Sequence, residues 1–154
     1  MKVSIEDIKK LRKKTGAGIA DSRRALEEAG GDFKEAEDLV KDWGVAIAAK
    51  KAQRAVGAGL VETYVHAGGK VGAMVEINCE TDFVARTDEF KNLTHEIAMQ
   101  VAAMDAKDIS DLLKQEYIRD SSKKIDDLVK ETIAKVGENI IIKRFMRFEL
   151  GGDQ

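Results

Sequence analysis

The sequence predicts an α+β fold, with an N-terminal bundle of three helices followed by a domain in which helices cover a small antiparallel sheet. Three observations carry that prediction. Apolar residues recur at helical spacing in the first part of the chain, they alternate with period two on either side of a glycine pair further on, and helical spacing then returns before a last alternating stretch. A chain of 154 residues, 44% hydrophobic and 35% charged, is long enough for one ordinary domain or for a small one plus a medium one.

From Ser4 onward Ile5, Ile8 and Leu11 share one face, Asp7 complements the helix dipole in the first turn, and Gly16 stops the run. A second short helix is expected from about Ile19 through Ala25, Leu26 and Ala29, ending at Gly30, with Gly30 and Gly31 making the turn. Asp32 suits an N-cap, Glu35 follows three residues later, and Phe33, Ala36, Leu39, Val40 and Trp43 mark one face of a third helix. The basic, alanine-rich segment Ala48 to Arg54 follows, and Gly57 and Gly59 interrupt any helical continuation. Two domains are therefore expected: residues 1–54, a bundle with its basic linker, and residues 55–154, an α+β core.

In the second domain Val61, Thr63 and Val65 alternate with Glu62, Tyr64 and His66, and Val71, Ala73, Val75 and Ile77 alternate with Gly72, Met74, Glu76 and Asn78. Gly68 and Gly69 between them supply the positive φ of a tight hairpin turn. Thr87 can cap a longer helix with the face Phe90, Leu93, Ile97, Val101 and Met104. Ile125, Leu128, Val129, Ile133 and Val136 mark another, ended by Gly137. The last strand, Asn139 to Leu150, is expected to set Ile140, Ile142, Met146, Phe148 and Leu150 on one face, with Arg144 the exception and Phe145 on the other side. For Asp105 to Ser121 two readings stand, a short helix around Leu112 and Leu113 or a loop that they anchor.

Composition narrows the function. A formal net charge of −2 lacks the basic footprint of a dedicated nucleic-acid binder, so a protein partner is favoured, with no direct nucleotide, nucleic-acid or membrane binding expected. No apolar run approaches the roughly 20 residues that cross a bilayer. Cys79 is the single cysteine and the N-terminus reads as neither a secretory nor a transit segment, which predicts the cytoplasm. His66, His95 and Cys79 lack metal-ligand spacing, and no converging acid and base is found, so no metal, cofactor or catalytic residue is expected. Gly16-Ala17-Gly18 and Gly57-Ala58-Gly59 continue as neither a dinucleotide fingerprint nor a P-loop and read as a helix turn and linker flexibility. Lys50, Lys51 and Arg54 have two readings, contact with an acidic partner or a solvated face, and a short charge run favours the second.

The informative segment is Asn78-Cys79-Glu80-Thr81-Asp82-Phe83-Val84-Ala85-Arg86, a polar loop between a buried strand and a helix with a large aromatic at its middle. Taken alone, Phe83 and Val84 can close a core while Thr81 and Asp82 cap the backbone. This segment, however, resembles the second signature of the elongation factor Ts family. Leu11-Arg12-Lys13-Lys14-Thr15-Gly16-Ala17-Gly18-Ile19-Ala20-Asp21 resembles its first, and Ile133-Ala134-Lys135-Val136-Gly137-Glu138-Asn139-Ile140 with Arg144-Phe145 its third. Order and register match across nearly the whole chain.

The resemblance implies a ubiquitin-associated-like bundle at the N-terminus, a dimerisation-type core, and a guanine-nucleotide exchange factor that binds elongation factor Tu in translation elongation. It implies that Thr81, Asp82, Phe83 and Val84 reach toward the partner's magnesium and phosphate site. Arg12, Gly16, Ala17, Gly18 and Ile19 would meet the partner's GTPase domain; Ile19 can equally be a core residue at the helix start. Longer family members carry a duplicated core and a protruding helical region, whereas this chain has one core and a short connection from Asp105 to Ser121, so a homodimer is a further expectation. A competing reading is an adaptor that binds ubiquitin-like or other helical partners, which explains the bundle but not the Thr81 to Val84 loop. A small enzyme built around Asp82 and His66 ranks last.

Overall fold

Ser4 starts the first helix, α1 (Ile5–Thr15), in the computed structural model, which describes residues 3–152: its hydroxyl oxygen accepts from Asp7 N–H at 3.0 Å. Gly16 ends it in the left-handed region, its N–H donating to Arg12 O. Helix α2 (Ile19–Glu28) is followed by Gly30 and Gly31, both at positive φ, which turn the chain into α3 (Phe33–Lys51), where Asp32 caps Glu35 N–H at 2.8 Å. Contacts divide the chain into Met1–Lys50 and Lys51–Gln154; the ends of the expected ranges, residues 1–2 and 153–154, lie outside the described residues. The first unit is a bundle around Leu11, Ala25, Leu26, Ala29 and Ala36, against which Ile8, Phe33, Leu39, Val40 and Trp43 pack. The third helix is longer than its apolar face foretells. It runs on through Ala48 to Lys51, because Val45-Ala46-Ile47-Ala48-Ala49 holds no breaker and alanine favours helix most.

The second unit is α+β. Strands β1 (Ala58–Val65) and β2 (Val71–Cys79) form the hairpin, with Gly68 and Gly69 at its turn. The chain then makes α4 (Asp82–Ala85), α5 (Asp88–Ala103), α6 (Ile109–Lys114), the small strands β3 (Glu116–Tyr117) and β4 (Asp120–Lys124), α7 (Ile125–Val136) and β5 (Ile140–Glu149). Strand β5 pairs antiparallel with β2, giving the order β1-β2-β5. Helix α5 lies on this sheet with α7 beside it. Phe90, Leu93, Ile97 and Val101 of α5, and Ala73, Val75, Ile77 and Cys79 of β2, are buried. The segment 105–121 takes the helical reading: Asp108 caps α6 and Leu112 is fully buried.

The expected face of the last strand is corrected. Ile140 and Ile142 are buried as expected, but the register slips between Glu76 and Ile77, whose partners are Arg144 and Ile142, so Lys143 is an extra residue. A one-residue bulge reverses side-chain alternation beyond it. Phe145 and Arg147 therefore turn inward, and Met146 and Phe148 turn outward. Arg147 Nε donates to Ala102 O at 3.1 Å, satisfying a last-turn carbonyl of α5 with a cation where the helix dipole favours one. Arg144 sits in the outward row, where its Nε is 2.6 Å from Glu76 Oε2.

Gly59 is also corrected from flexible linker to strand. It lies within β1 at φ 147°, and an added Cβ would stand 2.1 Å from Ile77 O, so only glycine lets the two strands approach there.

Candidate functional site

Strand β2 delivers Cys79 into the core, and the chain turns at once through Glu80 and Thr81 into α4. The corner is held by side chains from distant segments. Thr81 N–H donates to Glu138 Oε1 at 2.9 Å and Thr81 Oγ1 donates to Glu138 Oε2 at 2.8 Å. The same hydroxyl oxygen accepts from Val84 N–H at 3.3 Å, capping α4. In return, Asn139 N–H donates to Glu80 Oε1 at 2.8 Å. The buried Asn139 amide donates to Arg54 O at 2.9 Å, and Lys51 Nζ donates to Gly137 O at 2.8 Å. Residues 51–54, 80–81 and 137–139 thus form one hydrogen-bonded cluster.

Four residues are too few for a helix that holds its own shape, so this clasp decides where α4 points its side chains. Consecutive helical residues project about 100° apart, and here the step from Phe83 to Val84 crosses the surface. Val84 is 5% exposed and Ala85 3%, whereas Phe83 is 83% exposed and Asp82 lies in solvent beside it. The loop therefore divides into an anchor, Val84, and a presented pair, Asp82 and Phe83. Beneath it the Cys79 thiol is pushed up in pKa, first by burial and then by the negative charge of Glu138 and Asp82. A neutral thiol is a poor nucleophile and a poor metal ligand.

The N-terminal candidates belong to the first unit. Arg12 is exposed in the last turn of α1, Gly16 is its left-handed cap, and Gly18 is the N-cap of α2 without a side-chain bond. Thr15 Oγ1 accepts from Ala17 N–H at 3.2 Å and donates to Leu11 O at 2.8 Å, tying the loop to the helix it leaves. Ile19 is 62% exposed, so it lies outside the bundle core. Among the described residues no group of three or more His, Cys, Asp and Glu could hold a metal ion, and no helix is long and apolar enough to cross a membrane.

Sequence reasoning missed Glu80, Glu138 and Asn139 as structural partners of the loop. A signal existed: two adjacent polar residues follow a helix-stopping glycine and precede a buried strand, where unpaired polar groups are costly.

The family model described as Elongation factor TS matches residues 80–154. The elongation factor Ts of Thermoanaerobacter sp. (strain X514) is 44% identical over 194 aligned positions, covering 97% of this chain and 95% of that protein. That of Coprothermobacter proteolyticus is 41% identical over 196, covering 98% and 100%. Both alignments are longer than the 154 residues of this chain, so both relatives carry residues that it lacks. The elongation factor Ts of Nostoc sp. is 46% identical over 148 positions, and there the match covers 96% of this chain but 47% of the relative. With such identity over nearly its full length, the chain belongs to the elongation factor Ts family.

Proposed function

We propose that this chain is a guanine-nucleotide exchange factor that binds elongation factor Tu and promotes GDP release by disturbing the partner's magnesium and phosphate site. The observation that carries the reading is Phe83, a large apolar side chain left 83% exposed on a turn whose backbone is fixed by hydrogen bonds. Burying such a side chain is worth about 1.5–3 kcal/mol. Coupling between two binding sites is typically about 1–3 kcal/mol, so insertion of one phenylalanine is of the right size to bias a partner between nucleotide-bound and nucleotide-free states.

Phe83 inserts between elements of the partner and rewards a conformation in which the magnesium ligands are displaced. Asp82, exposed beside it, bonds to the partner or competes for groups of the magnesium shell. Thr81 caps the turn and Val84 anchors it. By linkage, a factor that weakens GDP binding is itself weakened by GDP to the same extent, so it binds the empty partner best and departs when nucleotide returns. No covalent step is involved and no cofactor is required; the protein acts in the cytoplasm as a non-enzymatic factor.

The ranges 1–54 and 55–154 are the two modules of this reading. In the first, Ile19 packs on the partner's GTPase domain, with Arg12 as a charged flank and Gly16, Ala17 and Gly18 exposing backbone beside it. In the second, the outward sheet face receives a second copy of this chain, because its rows Val65–Gly72–Phe148 and Thr63–Met74–Met146 are largely apolar.

The test is release of fluorescent GDP from elongation factor Tu, with this protein substoichiometric. Wild type accelerates release over multiple turnovers, and Phe83→Ala loses the acceleration while keeping its circular dichroism spectrum. Absence of acceleration by the folded wild-type protein with a matching partner would overturn the reading.

A further inference from the structure

Glu138 lies in the turn between α7 and β5, 57 residues from Thr81, yet its carboxylate takes both polar hydrogens that Thr81 offers. Because the hydroxyl proton is committed to Glu138, the hydroxyl oxygen presents a lone pair to Val84 N–H, the side-chain cap of the four-residue α4. The Glu80 bond to Asn139 N–H runs the opposite way across the same gap and keeps the turn in step with the corner. Each segment thus lends a carboxylate to the other's backbone.

We propose that Glu138 is a positioning residue for Phe83. It fixes the Thr81 side chain, Thr81 caps α4, and α4 holds the phenylalanine outward before any partner arrives. The inference rests on the reading of Phe83 as the element that works on the nucleotide-binding partner. An exposed aromatic gains nothing from staying in water, so something other than its own burial must keep it there. Ordering the turn during folding removes that cost from the binding step. A carboxylate is the fitting group because two equivalent oxygens accept the two donors at once, whereas a glutamine offers one acceptor oxygen and a misplaced donor.

The experiment is a double-mutant cycle with Glu138→Ala, Phe83→Ala and the pair combined, read by affinity for nucleotide-free elongation factor Tu, which stays measurable where release is lost, and by fluorescent GDP release in the arms that keep Phe83. Glu138→Ala is expected to lower affinity, and release per unit concentration with it, about tenfold, the size of a lost hydrogen bond to a charged group. In the Phe83→Ala background it is expected to change affinity little. Thr81→Val reproduces the loss, Thr81→Ser keeps the hydroxyl and restores release, and Glu138→Gln falls between. If Glu138→Ala does not fold, Glu138→Gln and Thr81→Val run the same cycle. Equal losses with and without Phe83 overturn the proposal, as does full activity in both Glu138→Ala and Thr81→Val. Wild-type activity in Phe83→Ala overturns the reading beneath it as well.

Discussion

Cys79 and Tyr117 bind their protons more tightly in the folded chain than in the unfolded one, and the cause is burial first in both, with the Glu96 hydrogen bond second for Tyr117. Raised values of this kind contribute stability that is complete below the unfolded pKa, about 8.5 for a thiol, and is lost as pH rises above it. The urea midpoint should therefore fall between neutral pH and about pH 9.5, and fall less in Cys79→Ala, as followed by circular dichroism. At neutral pH the same thiol should resist a disulfide reagent until the protein unfolds. Gln100 is fully buried on α5 and satisfied on every side that the hairpin offers. Its Nε2 donates to Glu116 O at 3.0 Å and to Gln115 Oε1 at 3.2 Å, and its Oε1 accepts from Ile118 N–H at 3.0 Å. Gln100→Leu keeps the volume but strips the backbone of β3 and its turn of partners. A loss of about 1–3 kcal/mol in chemical denaturation is expected.

At the scale of elements, two glycines separate two kinds of cost. Gly137 ends α7 at φ 76° with open space where a Cβ would go, so Gly137→Ala should cost only the left-handed penalty of about 1–2 kcal/mol. Gly59→Ala must in addition move the β1 backbone off Ile77 O, and it should lower thermal stability well beyond Gly137→Ala in the same melting experiment. The helices were legible in the sequence because their ends are written locally: Ser4, Asp32, Thr87 and Gly137 all act within a few residues of themselves. The outer half of β5 was not, since its facing depends on the register with β2, which no local pattern states. Nor was the β3–β4 hairpin, whose second strand, Asp120-Ser121-Ser122-Lys123-Lys124, is wholly polar and whose first strand and turn are held by Gln100 and Glu96 of α5, through Glu116, Ile118 and Tyr117. In the loop, the residue types marked Thr81 to Val84, but which of Phe83 and Val84 turned inward was decided by Glu138, far away in sequence.

For the molecule as a whole, the outward sheet face combines Val61, Val65, Met74, Met146 and Phe148, each more than half exposed. On the proposal that a second copy covers this face, these side chains are what it would bury. Light scattering on a sizing column should give the mass of two chains at high concentration, and Met74→Lys with Met146→Lys should reduce it to one. A concentration-independent mass of one chain for the wild type would remove the second copy as a partner. The position of that face traces to Lys143. Were Lys143 instead to enter the ladder opposite Glu76, the strand would keep every residue, yet Met146 and Phe148 would swing under the helices and Phe145 and Arg147 into water. Stickiness in this strand is thus a matter of parity. Whether Lys143 is counted in the ladder or left out of it decides whether the same side chains bind within the fold or between molecules.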